Sequence, residues 1–293
     1  MGKTAAAVEI ARAIDAEIVS ADSGQVYRGM DIGTAKPIPE ERRDVRFHLI
    51  DIIDPTEQFS AADFRVRALD AIREIQSKGK RVLVVGGTGL YLRALEQGLF
   101  EGPSRDPLFR AGLEKRIAIE GLESLHEELK KVDLETARAI PPQNRQRIIR
   151  ALEVYHLTGR PISAHWQEHK KIPPHPPLQK GGRGDFLKFG LDLPRDELNR
   201  RIDERVDRMI DQGFVAEVRS LTARWGATAP GLRIIGYKEM VAHLEGRVSL
   251  DETVRLIKIH THQYAKRQLT WFRKDNEIRW VNDVRDIRQR ISS

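Results

Sequence analysis

Along the chain, hydrophobic positions alternate between a helical period and short unbroken apolar runs. Val8, Ala11 and Ile14 in AAAVEIARAI recur at helical spacing and the alanines add propensity, so a helix is expected from about residue 4. Residues 17–21, EIVSA, predict a short strand, and Asp22-Ser23-Gly24 behind it has turn chemistry. Ser60-Ala61-Ala62-Asp63 supplies the cap and first-turn carboxylate of a helix reaching about Lys78, where Gly79 ends it. Residues 81–85, RVLVV, read as an unbroken buried strand, followed by a glycine turn and another helix. Helices alternating with apolar strands predict an α/β fold with a parallel sheet.

Past residue 102 the pattern changes. Gly102-Pro103 and Asp106-Pro107 punctuate a stretch that continues as helices without strand-like runs until about residue 186, which predicts an inserted helical subdomain. Its end, HKKIPPHPPLQKGGRGD at residues 169–185, is too poor in apolar residues to pack and is expected as a mobile loop of no assigned role. FLKFGLDL then resumes the strand pattern. From Pro194 a helix carries Leu198, Ile202, Val206, Met209 and Ile210 on one stripe, and a final helix covers about residues 250–273. The expected organisation is a core of residues 1–102 and 186–293 around an insertion of residues 103–185.

Composition narrows the chemistry. The 293 residues contain no cysteine, which excludes disulfides, thiolate nucleophiles and cysteine-ligated zinc or iron–sulfur clusters. A net charge of +7 favours a polyanionic partner, although many proteins with this balance bind nothing acidic. No apolar run approaches the ~20 residues of a membrane span, and the first residues lack the basic and apolar regions of a signal peptide. A cytosolic protein acting as a monomer is expected.

Gly2-Lys3-Thr4 at a helix start matches the end of the phosphate-binding loop G-x-x-x-x-G-K-[ST]. There, backbone N–H groups and the helix dipole hold phosphate oxygens, the lysine neutralises charge, and the Thr hydroxyl ligates Mg²⁺. The bland alternative is a helix that merely begins with small and basic residues. The first glycine of the motif and the strand before it would lie ahead of Met1, so the reading frame is expected to begin upstream. Asp22 and Thr88 each follow a strand at its carboxyl end, where open parallel sheets bind ligands. A turn cap explains Asp22 equally well, and a helix N-cap explains Thr88. Basic residues cluster at Arg145, Arg147 and Arg150, and at Lys266, Arg267, Arg273 and Lys274, the second group interleaved with Trp271 and Phe272. Such clusters suit phosphate contacts and base stacking, or simply form solvated helix faces. His260 and His262, two apart, do not share a helix face, and with His169 and His175 they are expected as surface histidines.

The blocks GKTAAAVEIA, IVSADSGQVYRGMDIGTAKP, FSAADFR, VLVVGGTGLYLRAL, RALEVYHLTGRPIS, GFVAEVRSL, IIGYKEM and AKRQLTWFR, taken in order, closely resemble the bacterial tRNA dimethylallyltransferases. The likeness runs from residue 2 to residue 273. It implies a core related to phosphate-loop kinases, an insertion that grips the anticodon stem-loop, and a loop holding dimethylallyl diphosphate in place of a nucleotide, with Mg²⁺ as cofactor. It further implies that Gly2, Lys3 and Thr4 meet the diphosphate, Thr4 also meeting the metal, and that Arg219 contacts the same diphosphate. Asp22 matches the general base, with Thr88 beside it in the catalytic group. Positions implied for tRNA contact are Asp22, Ser23, Gly24 and Gln25; Thr88 and Arg110; Gln146, Arg147, Ile148, Ile149 and Arg150; Arg233, Ile234, Ile235, Gly236, Tyr237 and Lys238; and Lys266, Arg267, Gln268, Trp271 and Arg273. Rival readings are a small-molecule or nucleotide kinase, a prenyltransferase acting on free adenine nucleotides, and a non-catalytic RNA-binding protein.

Overall fold

The computed structural model describes residues 3–42, 44–100, 102–171 and 186–292. The chain divides into two compact units, Met1–Glu96 with Asp185–Ser293, and Gln97–Gly184. The boundary falls before Gly102-Pro103 because Phe100 packs against the core of the second unit.

The first unit opens with α1 (Lys3–Ala13) and β1 (Ala16–Ala21), then α2 (Pro39–Arg42), β2 (Phe47–His48), α3 (Ala61–Ser77), β3 (Arg81–Gly86) and α4 (Gly89–Gln97). The strands are parallel in the order β2-β1-β3. β1 is buried along its whole length, as a central apolar run should be, and Ala7, Val8 and Ala11 of α1 pack on it. In contrast to the expected buried strand, β3 is only half-covered, because it is the last strand in that order. Ser60 caps α3 through a full capping box with Asp63, and Phe64, Leu69, Ile72 and Ile75 form its buried stripe.

Among the described residues, the regular structure of the second unit is all helix: α5 (Pro107–Glu120), α6 (Leu122–Val132), α7 (Leu134–Ala139), α8 (Arg145–Thr158) and α9 (Ile162–Lys171). Asp106 caps α5 by accepting from the N–H groups of Leu108 and Phe109, with Pro107 at the first helical position. Leu113, Leu125, Leu129, Ile148, Leu152 and Ile162 form its core. Most of the segment 169–185, His175 included, lies outside the described residues.

The chain returns to the first unit with β4 (Phe189–Leu191), α10 (Arg195–Asp211), α11 (Phe214–Trp225), a 3-10 turn at Pro230–Arg233, α12 (Tyr237–Leu244) and α13 (Leu250–Phe272). The expected final helix is not final: β5 (Arg279–Val281) follows and pairs in parallel with β4, and α14 (Val284–Ser292) packs behind it through Ile287. RWV is too short to show alternation, and only its pairing with β4 makes it a strand. Ile202, Val206 and Met209 of α10 join Phe214, Tyr237, Met240 and Ile257 in the main core of this unit.

Candidate active site

Parallel pairing places Ala21 opposite Gly86, so the residues after β1 and β3 emerge at the same sheet edge. Asp22 is held there by its own turn: Oδ1 accepts from the N–H of Gly24 at 2.8 Å and of Gln25 at 3.3 Å. Oδ2 has no hydrogen bond among the described residues, so one carboxylate oxygen shapes the loop while the other stays open to a ligand. A Cβ on Gly24 would stand 2.9 Å from Thr34 Cγ2, which explains why the turn needs glycine.

Thr88 stands at the cap position of α4, its carbonyl accepting from the Tyr91 and Leu92 N–H groups, but its side chain does more than cap. Its Oγ1 accepts from the Ser23 N–H at 3.2 Å, and its own N–H donates to the Ala21 carbonyl at 3.3 Å, so it joins the two strand ends. Gln25 is oriented from both sides, accepting from Ser20 Oγ and donating to the Ala35 carbonyl.

The carboxyl-terminal half of α13 covers this edge. Gln268 donates to the Gly87 carbonyl at 2.7 Å, and the Trp271 indole lies against Gly89, where a Cβ would come within 2.5 Å of the ring. Tyr264, one helical turn before Gln268, joins the group; burial and the Asp22 charge push its phenol pKa up, opposed by contacts with Gln268 and Thr88.

Arg205 of α10 lies within electrostatic reach of Asp22. Burial lowers its pKa and the Asp22 charge raises it, while its buried Nε finds no hydrogen-bond partner among the described residues. The signal that could have found Arg205 is its position three residues after Ile202, at the flank of the buried stripe. Arg219, by contrast, is exposed on α11, and no contact among the described residues ties it to the Asp22 group.

Two staples fix the loop that carries this edge. Glu217 accepts from the N–H groups of Asp31, Ile32 and Gly33 and from the Tyr237 hydroxyl at 2.6 Å. Lys36, itself buried, donates to the Tyr27 carbonyl and to the carboxylates of Asp31 and Asp51, both at 2.5 Å. A cavity of about 290 Å³ behind this loop is lined by Arg28, Asp54, Glu217 and Trp225 and contains none of the Asp22 group.

Several implied contact positions do not face solvent. Tyr237, 0% exposed, is bound to Glu217, and Gly236 is buried beside it, leaving Arg233 and Lys238 as the exposed members of that segment, with Ile234 and Ile235 half-buried. In the helical unit, Ile148 and Ile149 are 0% and 4% exposed because they form the apolar face of α8, whereas Arg145, Gln146 and Arg147 stand exposed in its first turn. Arg110 and Arg150 both bind the buried Glu153. On α13, Lys266, Arg267, Trp271 and Arg273 are exposed. The expectation of surface histidines fails for His260 and His262: each is half-buried against a carboxylate, His260 Nδ1 at 2.6 Å from Glu239 and His262 Nε2 at 2.9 Å from Asp203, because both α12 and α10 pack on α13.

Gly2 and the Lys3 side chain lie outside the described residues. Thr4 is half-buried in the first turn of α1. No group of three His, Asp or Glu among the described residues could hold a metal. A single hydroxyl fits a Mg²⁺ ion that draws its remaining oxygens from water and a substrate phosphate. Among the described residues no helix is long and apolar enough to cross a membrane.

A family model described as IPP transferase matches residues 25–275. The tRNA dimethylallyltransferase of Geobacter metallireducens is 54% identical over 281 residues, covering 96% of this chain and 88% of the relative. Among solved structures, the tRNA isopentenylpyrophosphate transferase of Bacillus halodurans superposes with a TM-score of 0.71 at 39% identity, covering 99% of this chain and 92% of that one. A eukaryotic dimethylallyltransferase acting on tRNA gives a TM-score of 0.72 at 27% identity, over 92% of this chain and 67% of its own.

Proposed function

The chain belongs to the IPP transferase family, and on that premise we propose that it transfers a dimethylallyl group from dimethylallyl diphosphate to tRNA. The acceptor is the exocyclic N6 amine of the adenine 3′ of the anticodon; the products are isopentenyladenosine and diphosphate. The observation that carries this reading is the open Oδ2 of Asp22, held by a turn at the carboxyl ends of β1 and β3 with Thr88 and Tyr264 beside it.

The amine nitrogen attacks the allylic carbon bonded to the diphosphate oxygen; that carbon–oxygen bond breaks, and the electron pair leaves with diphosphate. An aryl amine is a poor nucleophile, so Asp22 Oδ2 accepts its N–H, orients the attack and takes the proton. Thr88 fixes Asp22's loop through Ser23 and presents its hydroxyl at the same edge. Charge developing on the leaving group is stabilised by fixed donors in a water-poor site. We assign that task to Lys3, to the N-terminal turn of α1 and to Arg205, whose buried Nε has no other partner, in preference to the exposed Arg219. Thr4 would hold a Mg²⁺ ion, which would supply further neutralisation of that charge. The exposed cations of α8 and α13, with Trp271, suit phosphate contacts and base stacking on a looped RNA, where extruding the target base costs least.

The test is transfer of label from radiolabelled dimethylallyl diphosphate to an anticodon stem-loop, with Mg²⁺ present. Mg²⁺-stimulated label in the RNA, lost when the target adenine is replaced, is expected. Label appearing only on free adenine nucleotides, or ATP-dependent phosphorylation without prenyl transfer, would overturn the proposal.

A further inference from the structure

Within the helical unit, Glu153 stands out as a charge where the pattern calls for an apolar residue. It lies on α8 between the buried Leu152 and Val154, and it is itself 0% exposed. Both carboxylate oxygens are saturated. Oε1 accepts from Arg110 Nε at 2.6 Å and from the Asp106 N–H at 2.9 Å; Oε2 accepts from Arg110 Nη2 at 2.7 Å and from Arg150 Nη1 at 2.6 Å. Arg150 Nη2 is tied in turn to the Pro103 carbonyl at 2.9 Å. Burial alone would raise the Glu153 pKa; the hydrogen bonds from Arg110 and Arg150, with that from Asp106, outweigh it and hold the group at about 2.

The arrangement exceeds what stability requires. A buried ion pair is often replaced as a whole by apolar residues at no loss, and one guanidinium would neutralise the carboxylate. Here two do, leaving one excess positive charge at the surface, with the arginine side chains 28% and 30% exposed. Arg110 Nη1 and Arg150 Nε have no hydrogen-bond partner among the described residues, so each fork keeps a donor for an outside acceptor. Arg147, one turn before Arg150 and exposed at the start of α8, adds a third cation where the helix N-terminus already favours anions.

We propose that Glu153 is a positioning residue for RNA, a buried carboxylate that sets Arg110 and Arg150 as a rigid guanidinium pair against the phosphate backbone. The inference rests on the tRNA acceptor proposed above. Its advantage is entropic: two long side chains are already ordered before the RNA arrives, so less freedom is lost on binding.

The experiment measures equilibrium binding of a labelled anticodon stem-loop to the full chain across a range of salt concentrations, alongside steady-state prenyl transfer. E153Q is expected to weaken binding about tenfold and flatten the salt dependence by roughly one phosphate contact, raising KM for RNA while kcat at saturating RNA stays within about twofold. In an R110Q/R150Q background, E153Q should add nothing, since it acts only through those arginines. R110K and R150K keep the charge at partly exposed positions and decide the matter even where E153Q fails to fold. Each should weaken binding about fivefold, because an ammonium cannot reproduce the fork. Wild-type affinity in folded E153Q or in the lysine variants, or an undiminished E153Q effect without the arginines, would overturn the proposal, as would a wild-type chain that does not bind RNA. A chain that binds the stem-loop but transfers no prenyl group would sink the proposed reaction alone, and the binding series would still decide the role of Glu153.

Discussion

The two units each bury one charge between two partners of opposite sign, and they do so as mirror images. In the α/β unit the buried group is the Lys36 ammonium, flanked by Asp31 and Asp51, whose side chains are 58% and 40% exposed. In the helical unit it is the Glu153 carboxylate, flanked by Arg110 and Arg150. The first node, to which Arg42 adds a second cation 3.9 Å from Asp51, balances its charges and closes a loop on itself, carrying Tyr27 and Asp31 with it. The second leaves an excess positive charge and unsaturated donors at the surface. The same device therefore serves opposite ends: a loop staple where the chemistry needs a fixed backbone, and a prepared surface where a polyanion is to be held.

Breaking the first node should have the largest effect. In the double variant D31N/D51N the buried ammonium loses both counter-charges, and a loss of about 3 kcal/mol in unfolding free energy is expected. Asp51 has a φ of +57°, a conformation asparagine tolerates well, so the loss reports charge and not backbone strain. Urea unfolding checks it, and a loss under about 1 kcal/mol would mean that water already solvates Lys36.

Next comes Asp22, whose two oxygens have separate tasks. D22A removes both, while D22N keeps an acceptor for the Gly24 and Gln25 N–H groups and removes only the base. Both should lower kcat about 100-fold or more with RNA affinity nearly unchanged. Near-normal turnover in D22N alone would reduce Asp22 to a turn residue; collapse of RNA affinity in both would make it a binding residue.

The smallest effect sharpens the contrast from the helical side. The Glu153 pKa lies below its ordinary value of 4.5, at about 2, so its contribution to stability is complete above pH 4.5 and fades as pH falls toward 2. Thermal unfolding should show the chain losing roughly 1–2 kcal/mol more than E153Q between pH 7 and pH 3. Equal losses would show that the node does not gain its stability from the ionised carboxylate.

Much of this was legible from local pattern. The strands at residues 17–21 and 81–85, the capped helix after Ser60 and the helical insertion follow from periodicity and capping chemistry, which act over a few residues. Sequence also brought Asp22 and Thr88 forward, because turn residues at strand ends carry their own signature. It could not separate an exposed position from a core position among the residues the resemblance singles out: Ile148, Ile149 and Tyr237 are all buried.

By itself, the sequence determined the order of elements, the α/β class and the family, since those depend on residues near one another in the chain and on motif blocks in series. Only the tertiary structure decided that Asp22 keeps one oxygen open, that Arg205 has a buried Nε without a hydrogen-bond partner among the described residues, and that β5 is a strand at all. It alone joined Lys36 to Asp51, and Glu153 to Arg110. The physical reason is the same in each case. Burial and hydrogen-bond saturation are set by which distant segments pack together, and a charged residue looks alike in sequence whether it faces water or another charge.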